Sequence, residues 1–168
     1  MKENIILIGM PGCGKSTIGV LLAKNLAYGF LDSDLVIQEQ SGRKLQEMID
    51  EMGPEAFSAF EDAVNATLIP HNTVIATGGS AVYGTRAMEH FREIGTVVYL
   101  KASYETIEKR IRNFATRGIV IPEGQTFRDV YNERTALYEK YADITVDVDA
   151  DKADIWDVVE AITANLNH

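Results

Sequence analysis

Hydrophobic positions along this chain fall into short continuous runs that alternate with stretches of helical periodicity. Short continuous apolar runs are typical of strands covered on both faces of a parallel sheet. They predict strands at Asn4–Ile8, Phe30–Leu31, Thr73–Ala76, Thr96–Leu100 and Ile144–Val148. Spacings of three and four residues predict helices near 16–27, 34–41, 44–51, 54–69, 85–94, 103–113, 126–141 and 153–165. The alternation predicts an α/β fold of βαβ units around a parallel sheet.

Two segments stand apart from this regular pattern, although a length of 168 residues favours a single domain, 1–168. Residues 32–61 carry helices between strands and are more polar than the core segments. Residues 114–125 contain Gly118, Pro122 and Gly124 and show no clean period. A loop of that length in a compact domain is usually functional or disordered.

Composition and charge exclude several classes of protein. Hydrophobic residues make up 46% of the chain and charged residues 24%, as in ordinary globular proteins. The formal charge of −9 repels nucleic acid and anionic lipid, and the apolar runs are too short to span a membrane. The single cysteine and the strand that follows the N-terminus predict no intrachain disulfide, no signal peptide and a cytoplasmic location. We also expect a monomer.

The segment between the first predicted strand and the first predicted helix reads Gly-Met-Pro-Gly-Cys-Gly-Lys-Ser-Thr, residues 9–17. It is a complete phosphate-binding pattern, G-x-x-x-x-G-K-[ST]. The glycines let main-chain N–H groups surround an anion, Lys15 places an ammonium at the β- and γ-phosphates, and Ser16 offers a hydroxyl to Mg²⁺. The pattern predicts a nucleoside triphosphate site formed by Gly12, Cys13, Gly14, Lys15, Ser16 and Thr17. By itself it leaves hydrolase, kinase and switch open.

Two carboxylates, Asp32 and Asp34, follow the second predicted strand. Ligands bind at the carboxyl ends of strands in open parallel sheets. We predict that Asp32 holds the Mg²⁺ shell with Ser16, and that Asp34 accepts a hydrogen bond from a substrate hydroxyl and takes its proton. The alternative is a solvated helix cap, a position that aspartate favours.

The third predicted strand ends in Gly78-Gly79-Ser80, where the main chain can approach a ligand closely. The alternative is a plain tight turn.

Among the basic residues, Arg117 lies in the irregular segment. Beside a phosphate-binding loop such a segment is typical of a lid, and the Arg117 guanidinium would stabilise charge on the transferring group. Arg134, on a predicted helix, could clamp a carboxylate. Ordinary surface charge is the alternative for both, and we keep it for Lys109 and Arg112.

The cysteine and the three histidines give weaker indications of function. Cys13 occupies a free position of the phosphate-binding loop beside a helix N-terminus, and we hypothesise that its alkylation blocks nucleotide binding. His71, His90 and His168 show no metal-like spacing, and we interpret them as structural or surface residues.

Assembled, these residues make the chain resemble the shikimate kinases, small members of the nucleoside-monophosphate-kinase-like P-loop fold. The resemblance covers nearly the whole chain and rests on Gly9 to Thr17, Asp32-Ser33-Asp34, Gly42, Phe57, Glu61, Gly78-Gly79, Arg117, Glu133-Arg134 and Leu137-Tyr138. It implies a three-layer fold with a five-stranded parallel sheet, helices on both faces, a substrate-binding subdomain near 32–61 and a lid near 112–125.

The resemblance also implies an activity: transfer of the γ-phosphoryl group of ATP, with Mg²⁺, to a ring hydroxyl of shikimate, giving shikimate 3-phosphate. It implies that Lys15, Asp34 and Arg117 carry catalysis. Arg110 would lie near the adenine and Arg117 on the phosphates. Asp34 would bind the acceptor hydroxyls, Arg134 would meet the acceptor carboxylate, and the acceptor site would also include Ser58, Gly78, Gly79 and Ser80.

Two positions depart from the family pattern, both on the acceptor side. Shikimate kinases normally carry an arginine where this chain has Ser58, and a third glycine where it has Ser80. A hydrogen bond to a charged group is worth about 1.5–3 kcal/mol, so the missing arginine implies roughly 10- to 150-fold weaker binding of the substrate carboxylate. Glu61 would lose its usual guanidinium partner. Two alternatives stay open: the same chemistry on another polyol or hydroxy acid, and a nucleotide-binding module without an acceptor.

Overall fold

A computed structural model describes residues 2–113, 119, 121–149, 151 and 153–167 of the chain. Its centre is a sheet of five strands, β1 Asn4–Ile8, β2 Gly29–Asp32, β3 Thr73–Ala76, β4 Gly95–Lys101 and β5 Ile144–Asp147. The strands lie in the order β2-β3-β1-β4-β5, and every neighbouring pair is parallel. All five predicted strands are confirmed. β2 is longer than predicted because Gly29 and Asp32 pair with Thr73 and Ala76 of β3.

Within the described residues, eight α-helices surround the sheet: α1 Lys15–Leu26, α2 Ser33–Ser41, α3 Leu45–Met52, α4 Pro54–Asn65, α5 Thr85–Ile94, α6 Tyr104–Asn113, α7 Phe127–Tyr141 and α8 Ile155–Leu166. A short 3-10 turn, Ala81–Tyr83, precedes α5. The prediction of one helix over 54–69 was wrong at its end. Thr67 donates from both its amide and its hydroxyl to the Val64 carbonyl, and Pro70 disfavours a helical residue before it.

Helices cover both faces of the sheet. Every residue of β1 is buried, although successive side chains of a strand point to opposite faces. Helices α1 and α8 pack against each other and against strands, while α5 and α7 pack against β4. The main core therefore lies on both sides of β1 and β4, and it includes the fully buried side chains of Leu7 and Val98.

The strand register places three functional segments at one edge. Leu7 of β1 and Asp32 of β2 both pair with Ala76 of β3, so the three strands end together. The phosphate-binding loop, the Asp32–Asp34 segment and Gly78–Ser80 all leave this edge, where ligands bind in open parallel sheets.

A second, smaller core joins α2, α3 and α4 through Ile37, Met48, Phe57 and Val64. This cluster supports our proposal of a distinct subdomain near 32–61. The predicted lid, 112–125, includes residues 114–118 and 120, which lie outside the described residues. Of the helices in the described part of the chain, none is long and apolar enough to cross a membrane.

Candidate active site

The phosphate-binding loop connects β1 to α1 in a conformation that its glycines allow. Gly12 and Gly14 have φ values of 82° and 102°, a region that strains residues with side chains. Helix α1 begins at Lys15, within the 9–17 pattern, so the unpaired N–H groups of its first turn belong to the phosphate-binding segment. The segment therefore presents main-chain donors and the positive end of a helix dipole to an anion.

The Lys15 ammonium lies inside this loop. Its Nζ donates to the carbonyls of Gly9 at 2.6 Å and Met10 at 2.9 Å, and lies 3.7 Å from Sγ of Cys13. The residue is only 8% exposed. Lys15 is thus already directed into the concavity, and phosphate oxygens would replace the carbonyls as its partners.

The Cys13 thiol is buried next to the Lys15 ammonium. It is 2% exposed and belongs to the main hydrophobic core, while the Cys13 amide donates to the Met10 carbonyl at 3.1 Å. Burial shields the thiol from reagents in solvent, so the structure gives the alkylation hypothesis no support.

Asp32 caps α2 and also contacts Ser16, while its place in a Mg²⁺ shell stays a prediction. One carboxylate oxygen, Oδ1, accepts from the Asp34 amide at 2.9 Å and caps α2, as the capping alternative required. The other oxygen, Oδ2, accepts from the Ser16 hydroxyl at 3.4 Å. The cap therefore leaves one carboxylate oxygen of Asp32 directed at Ser16, next to the phosphate-binding loop.

Asp34, on the first turn of α2, faces the glycine segment after β3. If Gly78 carried a Cβ, that atom would lie 2.6 Å from Oδ1 of Asp34. The pKa of the Asp34 carboxyl is raised to about 6, first by burial and then by the charge of Asp32, against the lowering effect of Lys15. At neutral pH the group is therefore mostly ionised and can accept a proton.

Gly79 is required where the glycine segment meets the phosphate-binding loop. A Cβ on Gly79 would lie 2.5 Å from Cδ and 2.6 Å from Cγ of Pro11. The hydroxyl of Tyr138, a buried residue of α7, donates to the Gly79 carbonyl at 2.5 Å. Two segments far apart in the chain are thereby held in contact through a position that has no space for a side chain.

Ser80 contacts Glu61, a buried residue of α4. Its hydroxyl donates to Oε1 of Glu61 at 2.7 Å. Glu61 therefore has a hydrogen-bond partner, although Ser58 on the same helix stands where the family pattern has an arginine. The pKa of the Glu61 carboxyl is raised to about 7 mainly by burial; the Ser80 hydrogen bond lowers it, Asp34 raises it and Arg134 lowers it. Glu61 thus stands near its midpoint between acid and carboxylate at neutral pH.

Two arginines from α6 and α7 also line the site. Arg134 of α7 is 4% exposed, and its guanidinium carbon lies 5.5 Å from the ring centroid of Tyr83. Arg110 of α6 donates from Nη1 to the Gly12 carbonyl at 2.9 Å. Arg117 lies outside the described residues, so its predicted place over the phosphates stays a prediction.

One cavity of about 1050 Å³ joins these groups. Its lining includes all the predicted site residues except Cys13 and Arg117, namely Gly12, Gly14, Lys15, Ser16, Thr17, Asp32, Asp34, Ser58, Gly78, Gly79, Ser80, Arg110 and Arg134. The phosphate-binding loop and the acceptor-side residues therefore share one space. The roles assigned to the individual residues stay predictions.

Sequence reasoning missed the pairing of Ser80 with Glu61, the contact of Tyr138 with Gly79 and the position of Tyr83 beside the site. Tyr138 was named only through the family resemblance, whereas Glu61 carried a signal of its own. It lies at helical spacing between Phe57 and Val64, which are both buried, so a carboxylate occupies a core-facing position. A buried carboxylate is rare without a partner or a function.

Comparison with known proteins agrees with the family resemblance of the sequence. A family model described as shikimate kinase matches residues 11–166. Shikimate kinase from Thiobacillus denitrificans is 37% identical, over 87% of this chain and 81% of the relative. Shikimate kinase from Chlorobium chlorochromatii is 36% identical, over 96% of this chain and 90% of the relative.

Solved structures extend the comparison. Shikimate kinase from Acinetobacter baumannii in complex with shikimate superposes with a TM-score of 0.86 at 29% identity, covering 98% of this chain and 92% of that one. A gluconokinase from Sinorhizobium meliloti 1021 superposes with a TM-score of 0.60 at 18% identity, covering 99% and 92%, and this likeness shows the fold alone.

Proposed function

This chain belongs to the shikimate kinase family, and we propose that it transfers the γ-phosphoryl group of ATP to a ring hydroxyl of shikimate, giving shikimate 3-phosphate. The observation that carries the proposal is the shared cavity. A complete phosphate-binding loop, the Asp34 carboxylate and the buried Arg134 guanidinium line one space.

On the nucleotide side, main-chain N–H groups of the loop and the Lys15 ammonium bind the phosphates. Mg²⁺ fits the oxygens of Ser16 and Asp32, which lie 3.4 Å apart, because Mg²⁺ prefers oxygen ligands and retains several waters. When bound, Mg²⁺ supplies positive charge against the phosphate oxygens of ATP. Arg110 lies beside Gly12, and we propose that it lines the adenine side of the site. For Arg117, contact with the phosphates is likewise a proposal.

On the acceptor side, Asp34 binds the hydroxyl that is phosphorylated and takes its proton. Arg134 binds the carboxylate of the acceptor, since its Nε is buried without a hydrogen-bond partner among the residues that the structure describes. Gly78, Gly79, Ser80 and Ser58 line the same half of the cavity. Most of the acceleration then comes from holding the two substrates in line and from stabilising charge on the transferring group.

A coupled assay of ADP release tests the proposal. With Mg²⁺ and ATP present, we expect ADP release to depend on shikimate and the product to have the mass of shikimate 3-phosphate. Lys15→Ala abolishes turnover because it removes the ammonium from the phosphate site. Lys24→Ala, on the exposed face of the same helix, is the matched control and retains turnover.

Two results would contradict the proposal in different ways. ADP release that is unaffected by shikimate excludes shikimate as the acceptor. Firm binding of ATP with Mg²⁺ in calorimetry, without a phosphorylated product from any acceptor, favours a nucleotide-binding module.

A second candidate is the same chemistry on another polyol or hydroxy acid. It is favoured by Ser58, an uncharged side chain on the cavity wall, and by Ser80, whose hydroxyl is bound to Glu61. A panel of acceptors in the same assay separates the candidates by kcat/KM. If the missing cation limits use of shikimate, Ser58→Arg raises kcat/KM for shikimate; an unchanged value shows that another feature determines the acceptor.

We further propose that the enzyme acts as a cytoplasmic monomer whose ligands are ATP, Mg²⁺ and a small acceptor, without nucleic acid or membrane. The net charge of −9 supports the last two points. Light scattering coupled to size-exclusion chromatography tests the oligomeric state.

A further inference from the structure

Glu61 is a buried carboxylate in the acceptor half of the cavity, and the chemistry proposed above leaves it without a role. It is 2% exposed, and its Oε1 accepts from the Ser80 hydroxyl at 2.7 Å. Its Oε2 lies 3.1 Å from the point where a Cβ on Gly78 would stand, and Oδ1 of Asp34 lies 2.6 Å from the same point. The two carboxylate oxygens are therefore less than about 6 Å apart, a separation at which like charges disfavour each other.

The charged groups that face Glu61 come from three helices. Asp34 on α2 and Asp62 on α4 are negative, and Arg134 on α7 is positive. The wider cavity also contains Lys15, Lys44, Glu55 and Glu133. When Glu61 is ionised, the guanidinium of Arg134 faces the negative charges of both Asp34 and Glu61.

Arg134 indicates what this half of the cavity binds. It is 4% exposed, and its Nε is buried without a hydrogen-bond partner in the described part of the chain. A buried donor without a partner destabilises a protein unless a ligand satisfies it. An acid group of the acceptor fits this position, but an ionised Glu61 both repels that group and competes for the guanidinium charge.

We propose that an acidic acceptor binds this cavity together with one proton, and that Glu61, hydrogen-bonded to Ser80, carries that proton. The proposal rests on the proposed function, because shikimate is such an acid. The Ser80 hydroxyl is compatible with both states of Glu61, since a hydroxyl can donate to a carboxylate and can also accept from a carboxylic acid. Glu61 thereby favours acidic acceptors only while it is neutral.

The direction of the pH dependence follows from the titration of Glu61. Burial raises the pKa of this carboxyl to about 7. Below that pH Glu61 is neutral and the acceptor carboxylate meets Arg134 without a competing charge; above it, affinity falls. Glu61 is neutral in about nine-tenths of the protein at pH 6 and in about one-tenth at pH 8. The KM for an acidic acceptor therefore rises roughly tenfold between these two pH values.

The test compares KM for shikimate, KM for ATP and kcat at pH 6, 7 and 8. In the wild-type protein we expect the KM for shikimate to rise about tenfold over this range, with a much smaller change in KM for ATP. Methyl shikimate, in which an ester replaces the carboxylate, is the matched ligand, and its KM is expected to be independent of pH. A change with pH in the KM for the acid but not in the KM for the ester indicates a charge effect. A general loss of structure would change both KM values.

Three variants locate the proton. In Glu61→Gln, which cannot ionise, the KM for shikimate becomes the same at pH 6 and pH 8. In Ser80→Ala, the inflection moves to higher pH, because the serine hydroxyl no longer stabilises the carboxylate. Glu89→Gln removes a carboxylate on the exposed side of α5 and retains the wild-type pH dependence.

A KM for shikimate that is equal at pH 6 and pH 8 in the wild-type protein overturns the proposal, and so does a wild-type pH dependence in Glu61→Gln. If the wild-type protein does not phosphorylate shikimate at any pH, the proposed acceptor fails instead. Infrared difference spectroscopy then tests Glu61 directly. A protonated-carboxyl band that titrates near neutral pH in the wild type and is missing from Glu61→Gln supports the assignment, and the lack of such a band in the wild type refutes it.

Discussion

Replacement of Gly79 by alanine tests whether the contact between the glycine segment and the phosphate-binding loop is structurally required. The new Cβ would stand 2.5 Å from Cδ of Pro11, whereas ordinary carbon contacts begin near 3.4 Å. About 1 Å of overlap must therefore be relieved by movement. Gly79 itself is held by Tyr138, which donates to its carbonyl at 2.5 Å, so we expect Pro11 to move and the phosphate-binding loop with it.

The expected effects are of two kinds. Overpacking at a well-packed site costs about 1–3 kcal/mol, which for a domain of this size lowers Tm by roughly 2–12 °C. Displacement of a substrate-binding segment by about 1 Å reduces activity by roughly 100-fold. Because the displaced segment binds the phosphates, KM for ATP rises as well.

Thermal unfolding and steady-state kinetics of Gly79→Ala measure both effects. Gly29→Ala is the matched control, since Gly29 lies at the amino end of β2 and its new Cβ would meet Oγ1 of Thr73 at 3.2 Å, a contact that a small shift relieves. A Gly79→Ala variant with the Tm and KM for ATP of the wild type would refute this account of the contact.

Four further predictions address the chemistry and the fold. Asp34→Asn lowers kcat by about 100- to 10,000-fold while calorimetry shows retained ATP binding; an unchanged kcat removes Asp34 from proton transfer. Because the pKa of Asp34 is about 6, kcat of the wild type falls as the pH is lowered through 6, where the carboxylate gains a proton and no longer accepts one. Chelation of divalent cations abolishes turnover and readdition of Mg²⁺ restores it, whereas turnover in excess chelator would contradict the site at Ser16 and Asp32. Asp154 is the N-cap of α8 and accepts from the amides of Trp156 and Asp157 at 2.8 and 3.0 Å. Asp154→Ala lowers the free energy of unfolding by about 1 kcal/mol. Denaturant unfolding measures this loss, with the exposed Asp151→Ala as control.

Local sequence patterns predicted the five strands, the eight helices and the phosphate-binding loop, because each depends on neighbours in the chain. Apolar runs and helical spacing are read over a few residues, and the G-x-x-x-x-G-K-[ST] pattern is contiguous. The same locality explains the errors. The prediction for α4 continued past Asn65, where hydrogen bonds from Thr67 and the effect of Pro70 end the helix.

Segments that are distant in the chain meet through packing of the folded protein, which no local pattern predicts. Ser80 and Glu61 are 19 residues apart, and Tyr138 and Gly79 are 59 apart, so no local pattern pairs them. The strand order β2-β3-β1-β4-β5 and the common register bring them to one edge. Burial raises the pKa of Glu61, and it leaves Nε of Arg134 without a hydrogen-bond partner among the described residues; both are properties of the packed chain. Chemistry that depends on desolvation and on contacts across the sheet is therefore fixed by packing, since the same side chains in an extended chain would be solvated and far apart.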